Sequence, residues 1–203
     1  MQKQNNLLFK LAQFISYILD PIFLGLLIVV VSVFRSSMPS NLTMFWIIAI
    51  IVLNLFIPIL FYWYFTKQGF IFDAPLTNKR AQKERIIIFI VFLLAILVEI
   101  LFLLLTKIYQ PLFAVLVGGV ITIFFGSIIS YYWKISVHAS MTTFFVAMLI
   151  LLFGWSFWPA IFCLPLVFWS RLVLKRHTIS QLLAGFVLSL FIVIVTFSYF
   201  GLL

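Results

Sequence analysis

Hydrophobic residues lie in long blocks separated by short polar punctuation, without the alternation of an amphipathic soluble fold. The blocks run approximately over 14–34, 44–65, 86–106, 112–133, 138–153, 157–172 and 178–202. Most approach the roughly 20 residues that carry an α-helix across ~30 Å of hydrocarbon. The pattern therefore predicts an all-α, polytopic transmembrane helical bundle of about seven spans. Gly154, Trp155 and Pro159 interrupt the stretch from 138 to 172, which predicts two short helices around a tight turn rather than one very long helix. Only one connection is sizeable, residues 66–85, reading TKQGFIFDAPLTNKRAQKER. No solenoid-length repeat is visible, so a single integral membrane domain over 1–203 is expected.

Composition sharpens the class. Of 203 residues, 66% are hydrophobic and 8% charged, too little polar material to cover a soluble domain of this size. The lone Cys163 lies in an apolar run, which excludes an internal disulfide framework and a cysteine metal site on arithmetic. The first run contains Asp20-Pro21 and is followed by Arg35-Ser36-Ser37-Met38-Pro39, not a small-residue cleavage site, so secretory processing is not expected.

Thirteen basic and four acidic residues leave a net charge of +9. Such a balance suits nucleic acid, anionic lipid or a phosphate site, and membrane burial makes nucleic acid the weakest of these. With alternating spans, eleven cations fall on one side: Lys3, Lys10, Lys67, Lys79, Arg80, Lys83, Arg85, Lys134, Arg171, Lys175 and Arg176. Arg35 and Lys107 fall on the other. Removing the ligand candidates Lys79, Arg85, Lys134 and Arg171 still leaves seven against two. The positive-inside rule then puts the N terminus and the basic side in the cytoplasm of a multi-pass cell-membrane protein.

A charge at a helix centre costs roughly 2.5–3.5 kcal/mol on insertion scales, so each polar group near a span asks for a reason. His138 opens one span within Lys134-Ile135-Ser136-Val137-His138. His177 opens another, after Ser170-Arg171 and Lys175-Arg176 and before Gln181. Both fall on the basic side at matching depth. Two imidazoles among guanidinium and ammonium groups make a natural phosphoryl site: cations bind the oxygens, one imidazole attacks phosphorus, and the other protonates the leaving oxygen.

The same residues carry a family resemblance. Ser170-Arg171, five residues, His177 and a polar residue four further on resemble the third motif of the type 2 phosphatidic acid phosphatase family, membrane lipid phosphatases related to vanadium haloperoxidases. Ser136-Val137-His138 is similar to that family's second motif, Pro-Ser-Gly-His, with Ile135 and Val137 in place of Pro and Gly. Thirty-one residues separate His138 from Ser170, which fits the family's separation. The motifs lie within 134–185. The resemblance implies a six-helix core over about 44–203 preceded by one N-terminal helix. It also implies His177 as the nucleophile forming a phosphohistidine, His138 as the acid for the departing alcohol, and Arg171 with Ser136 and Ser170 around the phosphoryl oxygens. No metal or other cofactor is implied. The implied substrate is a lipid phosphate, such as phosphatidic acid, or a prenyl diphosphate drawn from the surrounding membrane lipids.

Three departures stand out. Gln181 replaces the family's Asp; it can orient the imidazole but cannot stabilise imidazolium with a negative charge, and an analogous change lowers turnover about 10⁴-fold in a serine-protease triad. The missing Gly of the second motif bears on close backbone approach to phosphate. The first motif, a Lys followed seven residues later by Arg-Pro, is absent. Its stand-ins are Lys134, which shares His138's face if that connection is helical, and Lys79 with Arg85; the plainer roles of these residues are interfacial snorkelling beside Tyr131, Tyr132 and Trp133 and a basic topology signal.

Two acids remain. Asp20 precedes Pro21 near the basic side and either caps a helix or supplies the charge that Gln181 lacks. Glu99 is expected to pair with Lys107 or a polar neighbour, or to be protonated. Gly118, Gly119 and Gly126 are expected to let helices pack closely, and some of the 26 Phe suit a groove for a lipid tail. Besides a lipid phosphatase, two readings stay open: a non-catalytic phosphate-recognising lipid binder or transporter, and bis-histidine haem ligation, for which Arg171 and Lys134 are odd neighbours.

Overall fold

The computed structural model describes residues 7–69 and 79–203, with side chains from 79 to 85 outside the description. The helices are α1 (Leu7–Ile18), α2 (Pro21–Arg35), α3 (Ser40–Ile51), a π-helical turn (Val52–Phe56), α4 (Ile57–Lys67), α5 (Lys79–Leu105), α6 (Leu112–Tyr132), α7 (Val137–Phe153), a 3₁₀ helix (Trp155–Phe162), α8 (Cys163–Val173) and α9 (Ile179–Tyr199). Among the described residues the fold is an all-α membrane bundle. Six helical stretches are long and apolar enough to cross a bilayer: Leu7–Arg35, Ser40–Lys67, Ile86–Leu105, Leu112–Tyr132, Trp155–Val173 and Ile179–Tyr199. The seventh, α7, has 17 residues and reaches about 25 Å at 1.5 Å per residue.

The breaks follow from backbone chemistry. Pro21 has no N–H to continue the ladder from α1, so the helix ends at Ile18 and restarts with Asp20 Oδ1 accepting the Ile22 N–H at 2.9 Å. Gly154, at φ 83°, turns the chain after α7, where a side chain would be strained. The 3₁₀ helix that follows contains Pro159. Two short helical elements around a turn are thus what the sequence predicts and what the structure has.

The chain divides into two compact units: one joins the chain through Gly25 to Ile135–Leu203, and the other is Leu26–Lys134. His138, Arg171 and His177 lie in the unit that also takes in the N-terminal helix α1.

In the Leu26–Lys134 unit, α5 packs on α6, with Ile96 Cδ1 in ordinary contact with the Cβ position of Gly119. Gly126 faces open space, so the close-packing expectation applies to Gly119 and not to Gly126. Trp46, Phe45 and Phe102 stack between α3 and α5. Ser36 Oγ accepts the Leu112 N–H at 3.0 Å at the start of α6. Pro58 cannot donate to the Asn54 carbonyl, and the chain responds by widening to i+5 bonding, with the Ile57 N–H on the Val52 carbonyl. Asn54 in that turn donates to Glu99 Oε1 at 2.6 Å, and Glu99 is 1% exposed. The polar neighbour of Glu99 is therefore Asn54.

In the other unit, Leu19, Leu24 and Val167 form a core with Ile15, Met141, Phe145, Cys163 and Phe168 packed against it. This core ties the α1–α2 break to α7 and α8. Cys163 is part of it, as its apolar surroundings in the sequence suggested.

Candidate active site

Chain direction brings the motif residues to one end of this unit. Helix α7 has His138 as its second residue and runs away, the 3₁₀ helix and α8 return to Arg171, and α9 leaves again after His177. Ser136 caps α7, its Oγ accepting the Ala139 N–H at 3.3 Å, which puts His138 in the first turn. Val137 is an ordinary helical residue here, so the absence of the family's Gly costs the backbone nothing at this position.

The seven residues from Arg171 to His177 form a helix stop and a helix start. The Arg176 N–H bonds the Arg171 carbonyl and the Lys175 N–H bonds the Leu172 carbonyl, both at 3.0 Å, while Lys175 takes φ 54°. This is the Schellman termination, with lysine in the left-handed position that glycine usually fills. Thr178 then caps α9 in a capping box, its side chain accepting the Gln181 N–H and the Gln181 side chain accepting the Thr178 N–H at 3.1 Å. That compact turn fixes the Arg171 to His177 spacing.

The two histidine-bearing helices are held together at their starts. The Ser136 N–H donates to the Gln181 carbonyl at 3.2 Å, and Ser140 Oγ donates to the Gly185 carbonyl at 3.2 Å. A Cβ at Gly185 would lie 2.6 Å from the Ser136 carbonyl oxygen, so only glycine allows this approach. Arg171 and His177 both lie close enough to His138 for their charges to act on it.

Helix α1 supplies residues that motif reading missed. Arg171 Nη1 donates to Ser16 Oγ at 2.8 Å, and the same oxygen lies 3.3 Å from His138 Nε2. One residue earlier on α8, Ser170 Oγ donates to the Ala12 carbonyl at 2.7 Å. Asp20, past the end of α1, is within electrostatic reach of Arg171. Of the two readings of Asp20, the capping one is what the structure holds: its carboxylate caps the start of α2. Small residues four apart on α1, Ala12 and Ser16, followed by Asp20, are the only sequence signal that could have marked this face.

The remaining candidates take other positions. Ser170 and Ser136 are fully buried, the Ser170 hydroxyl donating to the Ala12 carbonyl and the Ser136 oxygen accepting in the α7 cap. The Gln181 oxygen serves the capping box. Lys134 does not share a helical face with His138, because residues 133 to 136 are non-helical and Trp133 and Ser136 are extended. The side chains of Lys79 and Arg85 lie outside the described residues. Among the described residues no group of three or more His, Cys, Asp or Glu side chains is placed to hold a metal ion.

A buried guanidinium, two imidazoles and the N-terminal ends of α7 and α9 together favour an oxyanion, since helix starts present unpaired N–H groups and positive partial charge. Comparison of the chain with curated proteins and with solved structures found no match. Residues 129–202 match the model of the PAP2 superfamily. The stretch that holds His138, Arg171 and His177 is thus similar to the PAP2 superfamily.

Proposed function

We propose that this protein hydrolyses a lipid phosphate monoester or a prenyl or lipid diphosphate through a phosphohistidine on His177. The observation that carries the reading is that Arg171 and His138 meet on one oxygen, Ser16 Oγ, at 2.8 and 3.3 Å, with His177 within electrostatic reach of His138. In the first step a His177 ring nitrogen attacks phosphorus and the bond from phosphorus to the lipid oxygen breaks. The departing oxygen takes a proton from His138, and the lipid alcohol or shortened phosphate leaves. Water then attacks phosphorus, His138 accepts its proton, the phosphorus–nitrogen bond breaks, and inorganic phosphate is released. Arg171 neutralises and orients the phosphoryl oxygens in both steps, where positioning and charge compensation supply most of the rate.

Release of phosphate from phosphatidic acid, phosphatidylglycerol phosphate and prenyl diphosphates in detergent, compared between wild type and His177→Ala, tests the proposal. Release should fall to background in the variant; equal release by both would refute it. One observation favours a second reading, a phosphate-recognising lipid binder without turnover. Position 181, which carries the family's carboxylate, holds an amide committed to a helix cap. That reading predicts no release by wild type and lipid phosphate binding weakened by Arg171→Ala. Gln181→Asp discriminates further, since a carboxylate that stabilises imidazolium raises the rate of an enzyme and does nothing for a binder.

A further inference from the structure

Helix α1 lies outside the matched family region, yet it puts an oxygen between two of the site's key groups. Ala12 and Ser16, four apart and therefore on one helix face, receive hydrogen bonds from the consecutive α8 residues Ser170 and Arg171. Ala12 is fully buried and Ser16 is 7% exposed, so this pair of contacts is largely sheltered from solvent. A guanidinium has only donors, which makes Ser16 Oγ the acceptor of the Arg171 bond. The hydroxyl keeps a second lone pair and its own hydrogen for a further partner, and His138 Nε2 lies 3.3 Å from the oxygen.

We propose that Ser16 is a positioning residue of the phosphoryl-transfer site: its oxygen accepts from both Arg171 Nη1 and the Nε2–H of His138, anchoring Nε2 and leaving Nδ1 as the nitrogen that gives and takes the catalytic proton. The inference rests on the phosphatase reading for its catalytic consequence and, for the tautomer, on Ser16 accepting rather than donating at Nε2, which the experiment below decides. An imidazole keeps its hydrogen on the nitrogen whose partner accepts. With Nε2–H held by Ser16 in both protonation states, the ring does not turn when Nδ1 hands its proton to the leaving oxygen. It is still in place to accept a proton from the attacking water. The same oxygen restrains the guanidinium, so one hydroxyl sets the relative placement of the acid and the phosphate clamp. Alanine at 16 removes both bonds, and threonine keeps the hydroxyl.

Nitrogen-15 NMR of histidine-labelled protein in detergent, at a pH where His138 is neutral, reads the tautomer directly and needs no turnover. Wild type and Ser16→Thr should show His138 with a protonated Nε2 and an unprotonated Nδ1, and Ser16→Ala should show a mixture or the reverse, with the His177 signals unchanged. Deprotonated Nε2 in wild type, or an identical pattern in Ser16→Ala, would overturn the proposal. In the activity assay Ser16→Ala should lower kcat about tenfold and shift the pH profile of kcat, and Ser16→Thr should restore both. Wild-type turnover unaffected by Ser16→Ala refutes the positioning role; no turnover by wild type refutes the phosphatase reading and leaves the NMR result to decide the tautomer.

Discussion

Gly185→Ala tests whether close approach of α7 and α9 builds the site. The added Cβ would meet the Ser136 carbonyl oxygen at 2.6 Å, Ser140 Oγ at 3.0 Å and the Ser140 nitrogen at 3.2 Å. Carbon–oxygen contacts ordinarily begin near about 3.3 Å, so the helices must separate by roughly 0.7 Å. The obstacle is backbone that is itself pinned by Ser136 N–H on the Gln181 carbonyl, and no side-chain rotation can relieve it. Overpacking of this kind costs about 1–3 kcal/mol. The two interhelical hydrogen bonds that stretch or break add roughly 0.5–1.5 kcal/mol each. Alanine's better helix propensity returns up to ~1 kcal/mol. The balance is a loss of about 3 kcal/mol, or roughly 6–12 °C in Tm for a chain of this length.

The assay is thermal unfolding in detergent by tryptophan fluorescence, with phosphate release measured on the same samples. Release should fall by about tenfold or more, because a misplacement approaching 1 Å costs up to ~10²-fold in rate. Gly126→Ala is the matched control: a Cβ there meets nothing within 4 Å, so the variant should melt at or slightly above wild type. A Gly185→Ala protein that melts within about 1 °C of wild type and keeps its activity would refute the close-approach argument.

Other substitutions probe separate links. Lys175→Gly relieves a left-handed lysine that costs roughly 1–2 kcal/mol and should raise stability by up to ~1 kcal/mol after glycine's entropic penalty; a fall in Tm would contradict the Schellman assignment. Asp20→Asn keeps an acceptor for the Ile22 N–H while removing a negative charge near Arg171, so KM for an anionic lipid should drop several-fold at little change in Tm. An unchanged or higher KM would show that the Asp20 charge does not reach the bound phosphate. Asn54→Ala and Glu99→Ala should each destabilise the protein, with a coupling in the double-mutant cycle of about 0.6–1.7 kcal/mol. A cycle that closes at zero would mean the 2.6 Å contact contributes no net attraction.

What the sequence determined by itself is the part of this protein that solvent dictates. Blocks of apolar residues can be satisfied only as helices in hydrocarbon, and Gly154 and Pro159 mark their own break whatever surrounds them. Ionisable groups are costly in such a chain, so His138, Arg171 and His177 stand out, and the spacing from Arg171 to His177 is set by a local turn and cap. Tertiary structure decided what depends on meetings between distant segments. Ser16 lies 122 residues from His138 and 155 from Arg171, and its spacing from Ala12 marks a helix face without naming the partners that face will meet. The same holds for Gly185, whose meaning depends on the Ser136 backbone facing it, and for Glu99, whose partner was set by a π-helical turn rather than by the nearest opposite charge. Local hydrogen bonding and transfer free energy are written residue by residue along a chain. The pairing of one helix face with another is decided by packing, where a single added carbon or one shared oxygen is enough to select the arrangement.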